Sequence, residues 1–138
     1  MENSESSGFR DVDHTADVAL EVWAPDLSGL FMQAVQGMYH LMNLQFANQP
    51  GILMQFELSA PDEESLLVMF LSEVLFAVET QQVAFNPISV ECSGSSLQAL
   101  ATVKSIICQT RTIKAVTFHN LSIHQEPGRC TVTVVFDV

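Results

Sequence analysis

The apolar residues of this chain change their spacing along its length, and this change restricts the possible folds more than any other feature. Between residues 27 and 42 they recur every three or four positions, which is typical of one face of an amphipathic helix. Asp26 is a suitable N-cap for that helix, and Asn43 is an acceptable end. Residues 17–24 and 52–59 have strand patterns instead, which predicts a strand on each side of the helix.

A second helix is predicted from Asp62 or Ser65 to about Gln81 or Gln82. It is apolar almost all round, so we expect other layers of the protein, or a partner, to cover it on more than one side. The rest of the chain has strand patterns, and Asn86-Pro87 makes the first of these strands bent or an edge strand. The predicted strands are 83–92, 96–106, 113–124 and 130–137, with turns at 93–95 and 125–128.

This order of elements separates helices from strands toward the end of the chain. It predicts a single α+β domain with two main helices packed on a mostly antiparallel or mixed β-sheet, rather than a doubly wound parallel sheet. A length of 138 residues is sufficient for one hydrophobic core. We place the domain at residues 9–138 and expect the polar residues 1–8 to form a flexible N-terminal tail.

The charge of the chain limits its partners. Five basic residues stand against sixteen acidic ones, which gives a net charge of −11. The negative field of such a chain repels nucleic acid and attracts a cation or a basic protein. A simpler interpretation is that the net charge keeps a small apolar-rich domain soluble. No apolar run reaches membrane-spanning length and the N-terminus does not resemble a signal peptide, so we expect a cytoplasmic protein that contacts no membrane. The three cysteines are Cys92, Cys108 and Cys130, and their spacing is not that of metal ligands. We expect them to be buried apolar thiols.

Acidic residues and histidines carry the candidate chemistry, because the chain has no phosphate-binding or nucleophile motif. DVDHTAD at residues 11–17 leads into the first predicted strand, and Asp137 is the penultimate residue. If the last strand pairs with the first, Asp17, Asp137 and the terminal carboxylate of Val138 converge, and three anionic oxygen donors suit calcium, magnesium or manganese. Solvated aspartates at strand ends are the simpler interpretation. His119 and His124, five apart in one predicted strand, should face opposite sides of the sheet.

Several segments in this order resemble the archease family. They are Phe9, DHTAD at 13–17, the strand VALEVW, the helix LSGLFMQAVQGMYHLM, SLLVMFLSEVLF, IKAVTFHNLSI at 113–123 and the terminal FDV. The resemblance spans nearly the whole chain. The polar segment that usually precedes the KAVT stretch in this family is shorter here and lacks its Gly-Glu pair.

The resemblance implies an archease-like α+β fold and a metal site formed by Asp17, Asp137 and Val138. Calcium is the ion of the family's site, manganese or magnesium are alternatives, and Asp13 and His14 could hydrogen-bond to the ligands. It further implies a protein cofactor, not an enzyme, whose partner is the RNA-splicing ligase of tRNA splicing and RNA repair. That ligase uses GTP and manganese to join cyclic-phosphate or 3′-phosphate ends to 5′-hydroxyl ends. The cofactor would promote guanylylation of the ligase and its multiple turnover, without strong nucleic-acid binding of its own.

Two alternatives from other functional classes remain. The same aspartates could hold the metal of a small phosphoester hydrolase, with His14 as general base. Alternatively, the apolar second helix could serve as the docking surface of a chaperone-like binding module.

Overall fold

The computed structural model describes residues 6–12 and 17–138. Its elements follow one another along the chain in this order: β1 (Gly8–Val12), β2 (Val18–Ala24), α1 (Leu27–Leu41), β3 (Gln45–Phe46), β4 (Ile52–Ser59), α2 (Glu63–Phe76), a π-helical turn (Ala77–Gln81), β5 (Val83–Ser93), β6 (Ser96–Cys108), β7 (Ala115–Val116), β8 (His124–Glu126) and β9 (Arg129–Asp137). The α+β class predicted from the sequence is confirmed.

The strands form two antiparallel sheets. In the first, the order is β1-β2-β9-β7, and β8 also pairs with β9. In the second, β6 is central, with β4 on one side and β5 on the other, and β3 pairs with the end of β6. As Asn86-Pro87 predicts, β5 is a bent edge strand, because its register with β6 shifts between Pro87 and Ser89.

Both helices begin where the sequence predicts. The Asp26 carboxylate accepts the Gly29 N–H at 2.8 Å, and the Asp62 carboxylate accepts the Ser65 N–H at 2.7 Å. Each bond satisfies one of the amide groups that a first helical turn leaves without a partner. This hydrogen bond lowers the pKa of Asp62. After α1, Asn43 takes the left-handed conformation with φ of 50°, which ends the helix.

The second helix lies inside the protein, as its all-round apolar surface predicts. Its largest buried side chains include Phe70, whose ring lies 5.8 Å from that of Phe31 on α1 and 6.1 Å from that of Phe56 on β4. The helix therefore packs against both α1 and the second sheet. Met69 and Phe76 are exceptions, with 38% and 53% of their surfaces exposed. Among the described residues, no helix is both long enough and apolar enough to cross a membrane.

The structure differs from the sequence predictions at three places. Residues 113–124 do not form one strand, because local hydrogen bonds from His119 to the Thr117 hydroxyl and from Leu121 to Phe118 make a turn between β7 and β8. His119 and His124 therefore do not share a strand. Asp11 lies in β1, opposite Leu20, and the sequence did not predict this separate strand. The expectation of buried thiols holds for Cys130, but Cys92 on β5 is only half-buried. Cys108 is exposed, because it lies at the exposed end of β6 beside Ile107.

Candidate metal centre

The first and last long strands of the chain are neighbours in the first sheet. The pairing of β2 with β9 runs from Val18 opposite Phe136 to Ala24 opposite Cys130. Asp17 directly precedes Val18, and Asp137 directly follows Phe136. If the same register is continued by one residue, the two aspartates face each other, and directly opposed residues of an antiparallel pair have Cβ atoms roughly 4.5–5.5 Å apart.

The hydrophobic pattern of β9 sets this register. Val132, Val134 and Phe136 are buried on the core face of the strand. They pair with Val22, Leu20 and Val18 of β2 respectively. A slip by one residue would turn every β9 side chain to the opposite face, so the burial of these three residues fixes where Asp137 lies.

A second neighbour holds the other side of the strand end. The Lys114 N–H donates to the Asp137 carbonyl at 2.7 Å, and Ala115 of β7 pairs with Asp137. Thr117 donates to the Val135 carbonyl twice, from its N–H at 3.0 Å and from its hydroxyl at 2.9 Å. The backbone of Asp137 is therefore held, while its side chain stays exposed.

The residues at this end of the sheet have the chemistry of a hard-cation site. Asp137 and Val138 are exposed and Asp17 is half-buried, so water has access to complete a coordination shell. Carboxylate oxygens are the donors that calcium, magnesium and manganese prefer. Within residues 6–12 and 17–138, no group of three or more Asp, Glu, His or Cys side chains is placed to hold a metal. The predicted donor set contains only two such side chains, because its third donor is the main-chain terminal carboxylate.

Two residues that could support the ligands, Asp13 and His14, lie outside the described residues. Their predicted role stays a prediction.

Two of the three cysteines, Cys92 and Cys130, provide no obvious nucleophile. Burial raises the pKa of the Cys92 thiol to about 11, and it raises the pKa of Cys130 as well. Both therefore remain protonated thiols at neutral pH, whereas a reactive or metal-binding cysteine needs the thiolate.

The sequence does not reveal how the KAVT stretch and its neighbours are anchored. The Glu64 carboxylate accepts the Ile123 N–H at 3.0 Å, and Glu63 accepts the Gln125 side-chain amide at 2.6 Å. Both glutamates lie in the first turn of α2, where the sequence indicates only a favourable interaction with the helix dipole. These two hydrogen bonds also attach the segment between β7 and β9 to α2. In the sequence, only the nearby KAVT motif indicates that this part of the chain is important.

Comparison with known proteins identifies the family. The model of the archease protein family (MTH1598/TM1083) matches residues 9–138. This chain therefore belongs to the archease family.

Relatives and solved structures agree with that assignment. The chain is 32% identical to the probable protein archease of Mycobacterium tuberculosis, with 94% of this chain and 75% of that protein covered. It is 26% identical to protein archease of Methanopyrus kandleri, with 94% and 99% covered. The solution structure of protein 1598 of Methanobacterium thermoautotrophicum matches with a TM-score of 0.70 and 26% identity, covering 95% of this chain and 99% of that one. The crystal structure of an archease and possible chaperone from Thermotoga maritima, at 18% identity, also has a TM-score of 0.70, covers 94% and 96%, and supports the fold alone.

Proposed function

We propose that this protein is a non-enzymatic activator of an RNA-splicing ligase, and that a divalent cation bound by Asp17, Asp137 and the Val138 carboxylate is required for the activation. The ligase would be the GTP- and manganese-dependent enzyme of tRNA splicing and RNA repair. The activator would promote its guanylylation and its multiple turnover. Calcium, manganese and magnesium all suit the donor set.

One observation carries the proposal, namely the antiparallel register of β2 and β9. Asp17 and Asp137 flank the last pair of that register, Val18 opposite Phe136. Carboxylates brought this close repel each other, and a bound cation would offset that repulsion. Family membership supports the activator role, and the net charge of −11 supports a protein or cation partner rather than direct RNA binding.

The proposed roles of this chain's residues are simple. Asp17 and Asp137 would each supply carboxylate oxygens from neighbouring strands, and Lys114 and Thr117 would hold β9 in place through the hydrogen bonds described above. The exposure of Asp137 and Val138 would leave the ion accessible from the surface. A docked ligase could then reach it.

The test is a guanylylation and ligation assay with the ligase of the same organism, GTP and limiting manganese, with and without this protein. We expect the parent protein to increase both the guanylylated fraction and the number of turnovers. Asp17→Asn and Asp137→Asn should each lose most of the stimulation. Glu91→Gln is the matched control, because it removes the same charge from an exposed site in the second sheet and should stimulate like the parent.

The outcomes separate the parts of the proposal. A parent protein that stimulates no step of the ligase would refute the activator role. Full stimulation by both asparagine variants would refute the metal requirement alone. Turnover of RNA or phosphate esters by this protein with manganese, without any ligase, would instead establish the metal-dependent hydrolase.

A further inference from the structure

An open edge of the second sheet stands out among the surfaces of the molecule. β4 is an eight-residue strand that pairs with β6 through an uninterrupted register, from Ile52 opposite Val103 to Ser59 opposite Ser96. Within the described part of the chain, β6 is its sheet neighbour and its other edge has none. In an antiparallel strand, every second residue directs its N–H and C=O away from the paired neighbour. β4 therefore presents a row of backbone groups to solvent.

The edges at β5 and β1 carry protection that the first five residues of β4, 52–56, lack. On β5, Pro87 has no N–H to offer, the register is broken beside it, and the buried Tyr39 hydroxyl bonds to both the N–H and the C=O of Phe85. On β1, the exposed strand carries the charged Arg10 and Asp11. Natural proteins use such features to keep edges from pairing with other chains, and a long regular edge without them is a template for an added strand.

The start of β4 is also apolar and exposed. Three successive residues there are Ile52, Leu53 and Met54, with 76%, 63% and 38% of their surfaces exposed. A groove of about 270 Å³ lies beside the strand, between β4 and the end of α2. Met54 and Phe56 of β4 and the exposed Phe76 of α2 are among its lining residues. An added strand could therefore form backbone hydrogen bonds with β4 and bury apolar side chains in the adjacent groove.

Charge decides which occupant suits this edge. Glu57 of β4 and Glu73 of α2 both line this groove. The Glu57 carboxylate also accepts the Gln98 side-chain amide of β6 at 3.3 Å, on the opposite face of the sheet from Phe56. A second copy of this chain would bring another net charge of −11 to the surface, and nucleic acid would be repelled too. A basic segment would be attracted instead.

We propose that the free edge of β4 is a strand-addition site for an extended segment of a partner protein that alternates apolar and basic residues. Its backbone would continue the second sheet. Its apolar side chains would enter the groove at Phe76. Its basic side chains would lie on the other face of the sheet and approach Glu57, and Glu73 at the groove would add to the local negative charge. Strand addition of this kind obtains affinity from main-chain hydrogen bonds and specificity from pockets for alternate side chains. The site belongs to the sheet that does not contain Asp17 and Asp137, so it does not depend on the proposed metal centre.

The test uses the full chain, labelled with ¹⁵N, and a blocked synthetic peptide of alternating valine and lysine. We expect the peptide to shift the amide resonances of β4 and to slow the hydrogen exchange of those amides that face away from β6. A matched peptide with proline at two adjacent central positions loses a donor on each of its edges and should bind at least about tenfold more weakly. An alternating valine and glutamate peptide should not bind.

A pair of charge variants tests the electrostatic part. Replacing both Glu57→Gln and Glu73→Gln should weaken binding of the valine and lysine peptide about fivefold at low salt. The control carries Asp11→Asn and Glu126→Gln, which remove equal charge from exposed sites in the first sheet, and should bind within about twofold of the parent.

Several results would overturn the inference. They are equal binding of the proline peptide, resonance shifts confined to residues outside β4, and equal binding of the glutamate peptide. Sedimentation that shows a dimer of this chain with β4 amides protected, before any peptide is added, would assign the edge to a second copy instead.

Discussion

Replacing Tyr39 with phenylalanine should expose how much stability the molecule derives from sealing the edge of β5. Tyr39 is 3% exposed, and its hydroxyl donates to the Phe85 carbonyl at 2.8 Å and accepts the Phe85 N–H at 2.9 Å. One oxygen atom thus satisfies both backbone groups that Phe85 directs away from β6. Tyr39→Phe removes that oxygen and keeps the ring, including its edge contact with Phe46 at 6.3 Å.

The magnitude follows from the two groups left without partners. A buried donor or acceptor without a partner costs about 1–3 kcal/mol, so two of them give a loss of about 2–4 kcal/mol after partial relaxation of this edge strand. For 138 residues the entropy of unfolding is about 0.29 kcal/mol/K. The melting temperature should therefore fall by roughly 7–14 °C.

Thermal unfolding followed by circular dichroism, together with urea denaturation, measures the effect. The urea midpoint should fall while the slope of free energy against urea stays constant, because the surface exposed on unfolding does not change. Thr110→Val is the control, since it removes only the exposed hydrogen bond from the Asn43 amide at 3.0 Å and should change stability by less than about 0.5 kcal/mol. A Tyr39→Phe protein within 0.5 kcal/mol of the parent would refute the reasoning.

The same tyrosine predicts a pH dependence. Burial raises the pKa of Tyr39 above its ordinary value of 10.0. In the unfolded chain the phenol ionises first, so the unfolded state binds fewer protons at alkaline pH and is favoured there. The contribution is complete below pH 10 and is lost as the pH rises above that value. Tyr39→Phe should remove this part of the alkaline destabilisation, which stability curves between neutral and strongly alkaline pH would measure.

Three further predictions concern the metal centre, a close contact and a thiol. Calcium or manganese at a hundred times its Kd should stabilise the parent by about 2.7 kcal/mol, roughly 9 °C in melting temperature, and the shift should vanish in Asp137→Asn but persist in Glu91→Gln. In Gly51→Ala the new Cβ would overlap the Val103 carbonyl oxygen, so the β4 end must move, and urea denaturation should show a loss of about 2 kcal/mol. Burial raises the pKa of Cys92 from 9.0 to about 11. The contribution of this thiol to stability is therefore complete below pH 9.0 and is lost as the pH rises through about 11. Cys92→Ala should flatten the curve of stability against pH in that range.

The local structure could be predicted from the sequence wherever neighbouring residues decide it. The carboxylates of Asp26 and Asp62 cap the two helices as expected, and β4 spans residues 52–59 as predicted. The turns at Gly94 and Gly128 also lie where the sequence predicts them, and both glycines have positive φ. These features depend on side chains within a few positions of one another, so the linear pattern contains the physical cause.

Other features depend on contacts between residues distant in the sequence. Ile52 belongs to the apolar side of β4 by its pattern, yet it is 76% exposed, and only Phe56 and Leu58 further along the strand pack against the core. The segment predicted as one strand at 113–124 pairs with β9 only over the short strands β7 and β8, and its own pattern does not indicate those two pairings. No local signal indicates that Tyr39 would bond to Phe85, which lies 46 positions away.

The candidate metal site also depends partly on local sequence and partly on contacts between distant residues. The sequence by itself determined that acidic oxygens stand at the start of one apolar strand and at the end of another, and the alternation in β9 determined which of its residues turn to the core. Only the tertiary structure decided that β9 inserts between β2 and β7, which puts Asp137 beside the strand that begins after Asp17. The physical reason is that strand pairing follows from which apolar faces can be buried together, and that choice belongs to the whole molecule.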